Sequence, residues 1–161
     1  GIKDLAWLLE SSLSDEKLQE AIPPVIAFAK GNGDPSSYPV SFLKESPTLK
    51  VPDRQLLTVN HRNLLVVHGH REGVDFGLDN LAFETQIAGC DTAVFGHTHL
   101  SFEFNYSQYK FVNPGSVSLP RGGQNNSFVI LTFEKKFTDA AFLEFNPHAS
   151  QKEYSLFTPM I

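Results

Sequence analysis

Three times along this chain a short apolar run breaks off into residues that can ligate a metal. Residues 25–29 (VIAFA) lead into Gly31-Asn32-Gly33-Asp34, and residues 64–67 (LLVV) into His68-Gly69-His70. Residues 93–95 (AVF) lead into Gly96-His97-Thr98-His99. Runs of this length without polar alternation are those of strands covered on both faces, the condition of parallel sheets. Parallel neighbours align their carboxyl ends along one edge. In open α/β sheets ligands bind in the crevice outside those ends. Asn32, His68, His70, His97 and His99 are therefore expected to face one pocket.

The local chemistry supports a cation there. Gly96 lets the chain turn sharply beside a bound ion, and the two-residue spacing of His97 and His99 can aim both rings at one cavity. Neutral imidazole is the commonest protein ligand for transition metals. Cys90 is the only cysteine, which excludes an intrachain disulfide and a thiolate-rich zinc site. Imidazole nitrogen with an amide oxygen suits Mn, Fe, Co or Zn. An open N/O site points to hydrolysis, because a bound ion lowers the pKa of water to about 7.

The surrounding elements fit an α/β chain. Residues 2–9 and 15–21 carry helical patterns, the second capped by Ser12 or Ser14 and ended by Pro23-Pro24. Residues 35–53 hold four prolines and read as a lid or rim. Residues 56–59 and 64–67 form a hairpin around Asn60-His61-Arg62-Asn63. Leu78, Leu81, Ala82 and Ile87 outline a helix stopped by Gly89, so strand, helix and strand make a βαβ unit with a right-handed crossover. Alternating strands follow at 102–106 and 109–112, then at 127–133 and 139–145, and 146–161 reads as a tail.

At 161 residues, 41% hydrophobic and 19% charged, the chain is expected to be one domain spanning 1–161. A net charge of −5 argues against holding a nucleic-acid backbone. No apolar run reaches the ~20 residues of a membrane span. The first residues mix Lys3, Asp4 and Glu10 among apolar ones, unlike a secretory signal. A cytoplasmic compartment fits.

The four motifs Gly31-Asn32-Gly33-Asp34, His68-Gly69-His70, Gly96-His97-Thr98-His99 and Asn113-Pro114-Gly115-Ser116, in this order, resemble the calcineurin-like metallophosphoesterase superfamily, in its small bacterial and archaeal phosphodiesterase branch. That resemblance implies a two-sheet αββα sandwich and two divalent transition-metal ions, manganese first, with Fe, Ni or Zn as alternatives. It implies that Asn32, His68 and His97 hold one metal and that His99 helps to hold the other. The implied reaction is hydrolysis of small phosphodiesters by metal-bound hydroxide. His70 is the candidate to supply a proton or touch phosphate, or else to orient the site through a hydrogen bond.

The family's opening Asp-x-His strand and bridging Gly-Asp do not occur in this sequence, so the fold is expected to be N-terminally incomplete and three family ligands to be missing. Asp4 is the nearest carboxylate in sequence. A vacant sheet position would invite self-association. The missing ligands also favour an alternative: a non-catalytic protein-binding scaffold on the same fold, as in the retromer subunit. Gly33 stands where nuclease relatives carry a histidine. Among the remaining candidates, Asp34 is expected to stabilise its own loop, and His61 and His148 to be solvated. Arg121 reads as a loop arginine within reach of an anion, and Cys90 as a packed residue with no base adjacent to it in sequence.

Overall fold

The computed structural model describes residues 2–23, 25–39, 48–151 and 153–159. Helices α1 (Ile2–Ser12) and α2 (Glu16–Ala21) come first. The cap of α2 is Asp15 rather than Ser12 or Ser14: its carboxylate accepts from the N–H groups of Lys17 at 3.0 Å and Leu18 at 3.2 Å. An ionised cap answers both the orphan donors and the helix dipole.

The proline-rich connection is not all loop. Strands β1 (Ser37–Pro39) and β2 (Thr48–Lys50) pair antiparallel across it. Residues 40–47 of the expected lid lie outside the described residues, as does the Asp4 side chain.

The principal sheet has five strands, ordered β3-β4-β5-β7-β6. Strands β3 (Arg54–Val59) and β4 (Arg62–Val67) form the hairpin in register Val59↔Arg62. The turn is therefore two residues, not four, with Asn60 and His61 at φ 47° and 67°. Positive φ at both central positions matches the twist of the flanking strands. Next come α3 (Asp79–Ile87), β5 (Thr92–Val94), β6 (Ser101–Tyr106) and β7 (Tyr109–Pro114). Strand β5 is parallel to both β4 and β7, as the βαβ reading requires. Leu65, Ala93 and Phe111 are cross-strand neighbours on one face, where Leu81 of α3 seals them. All four are essentially inaccessible to solvent. Cys90 belongs to the same core, and burial, then the neighbouring Asp91, pushes its thiol pKa up, so it stays protonated.

The opposite face meets a three-stranded antiparallel sheet of β8 (Asn126–Phe133), β9 (Thr138–Phe145) and β10 (Tyr154–Phe157), ordered β10-β9-β8. Buried hydroxyls tie the two sheets. Thr92 Oγ1 lies 3.2 Å from Thr138 Oγ1, and Ser101 Oγ lies 2.8 Å from Ser127 Oγ. The segment read as a tail thus contributes a strand, with Leu156 opposite Leu143 and Phe157 opposite Phe142.

One expected strand is not formed: residues 25–29 pair with none of the described strands. Two bonds hold the run: the Phe28 N–H donates to Gln55 Oε1 at 2.5 Å, and the Lys30 N–H to the Pro52 carbonyl at 2.7 Å. Those anchors still direct residues 31–34 toward the ends of β4 and β5. Among the described residues no helix is long and apolar enough to cross a membrane.

Candidate metal centre

The loops after β4 and β5 converge as their strand ends dictate, and residues 31–34 join them from a run that pairs with none of the described strands. Asn32 Oδ1 lies 3.1 Å from His68 Nε2, and His68 Nε2 lies 3.2 Å from His97 Nδ1. The His70 ring stands edge-on to His68 at a centroid distance of 5.1 Å and lies 6.1 Å from His97. His99 is turned differently. Its Nδ1–H donates to the Leu119 carbonyl at 2.7 Å, and it makes no hydrogen bond to Asn32, His68 or His97. Four of the five expected side chains therefore cluster, while His99 adjoins them closely enough for its charge to be felt at His68.

The backbone pays attention to this loop. The sharp turn falls not on Gly96 but on His97 and His99, whose φ values are 71° and 61°. Left-handed backbone costs an L-residue roughly 1–2 kcal/mol, so two such residues in three mark a loop held against its own preference. Asn113, fully buried in β7, does the holding. Its Nδ2 donates to the Gly96 carbonyl at 3.0 Å and to Thr98 Oγ1 at 2.9 Å. The Gly96 N–H in turn donates to the His68 carbonyl at 2.9 Å, which locks the β5 loop to the β4 loop.

One contributor was not among the sequence candidates. Asp75 Oδ2 sits 2.7 Å from His97 Nε2. A carboxylate only accepts, so Nε2 carries a proton, and in the neutral ring Nδ1 then presents its lone pair to His68. No motif marks Asp75; it lies on the loop that links β4 to α3, and only folding brings it under His97. Asp34 plays the part expected of it, accepting the Gly31 N–H at 3.0 Å within its own loop.

The donor set fits a cation. Asn32 Oδ1 and His97 Nδ1 both present lone pairs to His68 Nε2, whose one proton can serve only one of them. A cation in place of that proton satisfies all three. Ligands about 2.0–2.1 Å from one ion stand about 2.8–3.0 Å apart at octahedral angles and about 3.3–3.4 Å apart at tetrahedral ones, and the observed separations of 3.1 and 3.2 Å lie between these. Among the described residues no group of three or more His, Cys, Asp or Glu side chains is placed to hold a metal ion; the trio here is two imidazoles and an amide oxygen.

Burial first, then the charges of His97 and His70, push the His68 pKa down; Asp34 opposes this and His99 adds to it. A lowered folded-state value favours the neutral ring, which is the ligating form. The stability this lends is present above the unfolded value of about 6.5 and is lost as pH falls through that value toward the lower folded one. Urea midpoints of metal-free protein are expected to drop between pH 7.5 and 5.5, and to drop less in His68→Asn.

The fold and the order of these motifs point to one family. The model of the calcineurin-like phosphoesterase superfamily domain matches residues 10–136, and the chain belongs to that family. It is 37% identical over 116 residues to the phosphodiesterase YfcE of Escherichia coli K12, an alignment covering 72% of this chain and 56% of that protein. It is 36% identical over 100 residues to "Probable metallophosphoesterase YsnB" of Bacillus subtilis, covering 62% of this chain and 57% of the relative. The chain thus spans just over half the length of these curated relatives. Among solved structures, a conserved uncharacterized protein of Streptococcus pneumoniae superposes with a TM-score of 0.60 at 22% identity, over 89% of this chain and 75% of that one. Vps29 of Entamoeba histolytica, solved with Zn2+, superposes with a TM-score of 0.62 at 16% identity, over 90% and 76%. These two likenesses establish the two-sheet α/β fold.

Proposed function

We propose that this chain carries a metal-dependent phosphodiesterase site, in which Asn32, His68 and His97 hold one divalent cation and His99 contributes to a second. The observation that carries the reading is the trio of lone-pair atoms 3.1 and 3.2 Å apart, with the far nitrogen of His97 pinned by Asp75. A nitrogen and oxygen donor set without thiolate suits Mn, Fe, Co or Zn; manganese is put first, with Fe, Ni or Zn as alternatives, because the family resemblance implies it. Divalent ions at such a site acidify a water and neutralise charge on the phosphorus oxygens.

The residues divide the remaining work. Asp75 fixes the tautomer and the angle of His97. The Leu119 carbonyl does the same for His99, taking the Nδ1 proton and leaving Nε2 free to ligate. His70 Nδ1 is buried without a protein partner, and His70 is assigned to the phosphate rather than to orienting a ligand. Small phosphodiesters in the cytoplasm are the proposed substrates. The non-catalytic alternative rests on Vps29 structures whose identity to this chain shows the fold alone, whereas the phosphodiesterase YfcE is similar in sequence as well.

Titration with manganese tests the assignment. Asp75→Ala is expected to weaken binding by about 10–100-fold, the usual effect of removing a ligand's outer partner. Asp75→Asn, which keeps an acceptor for the Nε2 proton, is expected to lose less. Equal affinity in all three proteins would remove Asp75 from the account.

A further inference from the structure

A cavity of about 550 Å³ opens directly beside the histidine cluster, and its lining differs from that of the metal centre. Leu78, Phe95, Leu100 and Phe102 give it an apolar wall, while Asp75, Thr98 and Arg121 stand at its polar end. Two of these polar residues adjoin the metal centre by bonds already described: Asp75 carries His97, and Thr98 lies between His97 and His99 under the grip of Asn113. The third, Arg121, is tied to the same loop, its N–H donating to the His99 carbonyl at 3.1 Å.

The arginine is set apart by its lack of a partner. Of the four arginines in the sequence, Arg54 pairs with Glu84, Arg62 with Asp91 and Arg71 with Asp53. Arg121 makes no ion pair among the described residues, although the chain carries a net charge of −5. A guanidinium presents a planar fork matched to phosphate oxygens, and an apolar hollow of 300–1,000 Å³ with a few convergent polar groups is the usual form of a small-molecule site. A phosphodiester has both features to offer: one anionic centre and two ester arms.

We propose that this cavity is the subsite for an apolar ester arm of the substrate, with Arg121 binding a phosphate oxygen at its mouth. The proposal rests on the phosphodiesterase reading above and adds the substrate class to it: phosphodiesters with at least one apolar, aryl-sized alcohol.

The test compares phenylphosphonate with methylphosphonate, neither of which can be hydrolysed, by calorimetry on the manganese-loaded chain, together with ¹³C-methyl spectra of Leu78 and Leu100. Burial of the ring is expected to make phenylphosphonate bind at least about tenfold more tightly and to shift both leucine signals. Leu78→Trp, which fills the hollow, is expected to bring the ratio of the two affinities to about one. Arg121→Gln, an exposed substitution that spares the core, is expected to weaken both phosphonates alike. Equal affinities in the unaltered protein, or a preference for phenyl that leaves the leucine signals unmoved, would overturn the proposal. Failure of the metal reading is a separate result. If manganese does not bind, phenylphosphonate at the metal-free protein still decides the subsite through the Leu78 and Leu100 signals: shifts support it, and their absence overturns it.

Discussion

His97→Ala is expected to lose manganese affinity by at least about a hundredfold, the upper end of what removal of even an outer partner produces. The imidazole is the hinge of the cluster, with Nδ1 3.2 Å from His68 Nε2 and Nε2 2.7 Å from Asp75 Oδ2. Truncation removes one of three donors and strands the Asp75 carboxylate. It leaves the loop's burden in place, since alanine at φ 71° is as unfavourable as histidine. Isothermal titration reads the affinity, and hydrolysis of a chromogenic phosphodiester with added manganese is expected to fall in parallel in any form of the protein that shows it. Undiminished metal binding in this variant would exclude His97 as a ligand.

Gly115→Ala is expected to be the most destabilising single methyl in the fold, at about 2–5 kcal/mol, a large share of a typical domain's ~5–15. Gly115 has φ 81°, and a Cβ there would run into the hydroxyls of both Ser127 and Ser101. Those hydroxyls bond each other at 2.8 Å, and Ser127 Oγ donates to the Pro114 carbonyl at 2.9 Å. Both serines are buried where the two sheets meet. The left-handed backbone contributes roughly 1–2 kcal/mol of the cost, and displacing buried hydroxyls from their partners about 1–3 more. The Gly115 N–H also donates to Asn113 Oδ1 at 3.1 Å, and Asn113 holds the His97 loop. Urea denaturation is therefore expected to show a lower midpoint, and manganese titration a weaker site. A midpoint within experimental error of the parent would show that the sheets do not rely on this contact.

The βαβ heart of the protein could be read from residues 64–95 because its signals are local. An apolar run, a helical period closed by Gly89 and a second apolar run leave little choice of topology. The convergence of His68, His70 and His97 followed from that topology, whereas Asn32 reaches them through the anchors at Gln55 and Pro52. Other features depend on distant partners, and the sequence is silent about those. Residues 25–29 are as apolar as β4, yet a strand needs a pairing partner, and none of the described strands pairs with them. Residues 154–157 fall in the segment 146–161 that reads as a tail, and three of the four are exposed, but they complete a sheet by pairing with β9. Asp75 carries no spacing signature at all, since a carboxylate that orients a ligand can come from any loop that passes beneath it. The turn at His97 and His99 was misplaced onto Gly96 for a related reason. Glycine is the residue that turns most cheaply, but the buried Asn113 amide, pulling on the Gly96 carbonyl and on Thr98, makes the histidines do so instead.

The account depends on one cation lying among three particular atoms. Crystals of the protein soaked in manganese, with diffraction recorded at the metal's absorption edge, test this directly. The predicted result is an anomalous peak about 2.0–2.3 Å from Asn32 Oδ1, His68 Nε2 and His97 Nδ1 together. A peak elsewhere on the molecule, or none at saturating manganese, would contradict it.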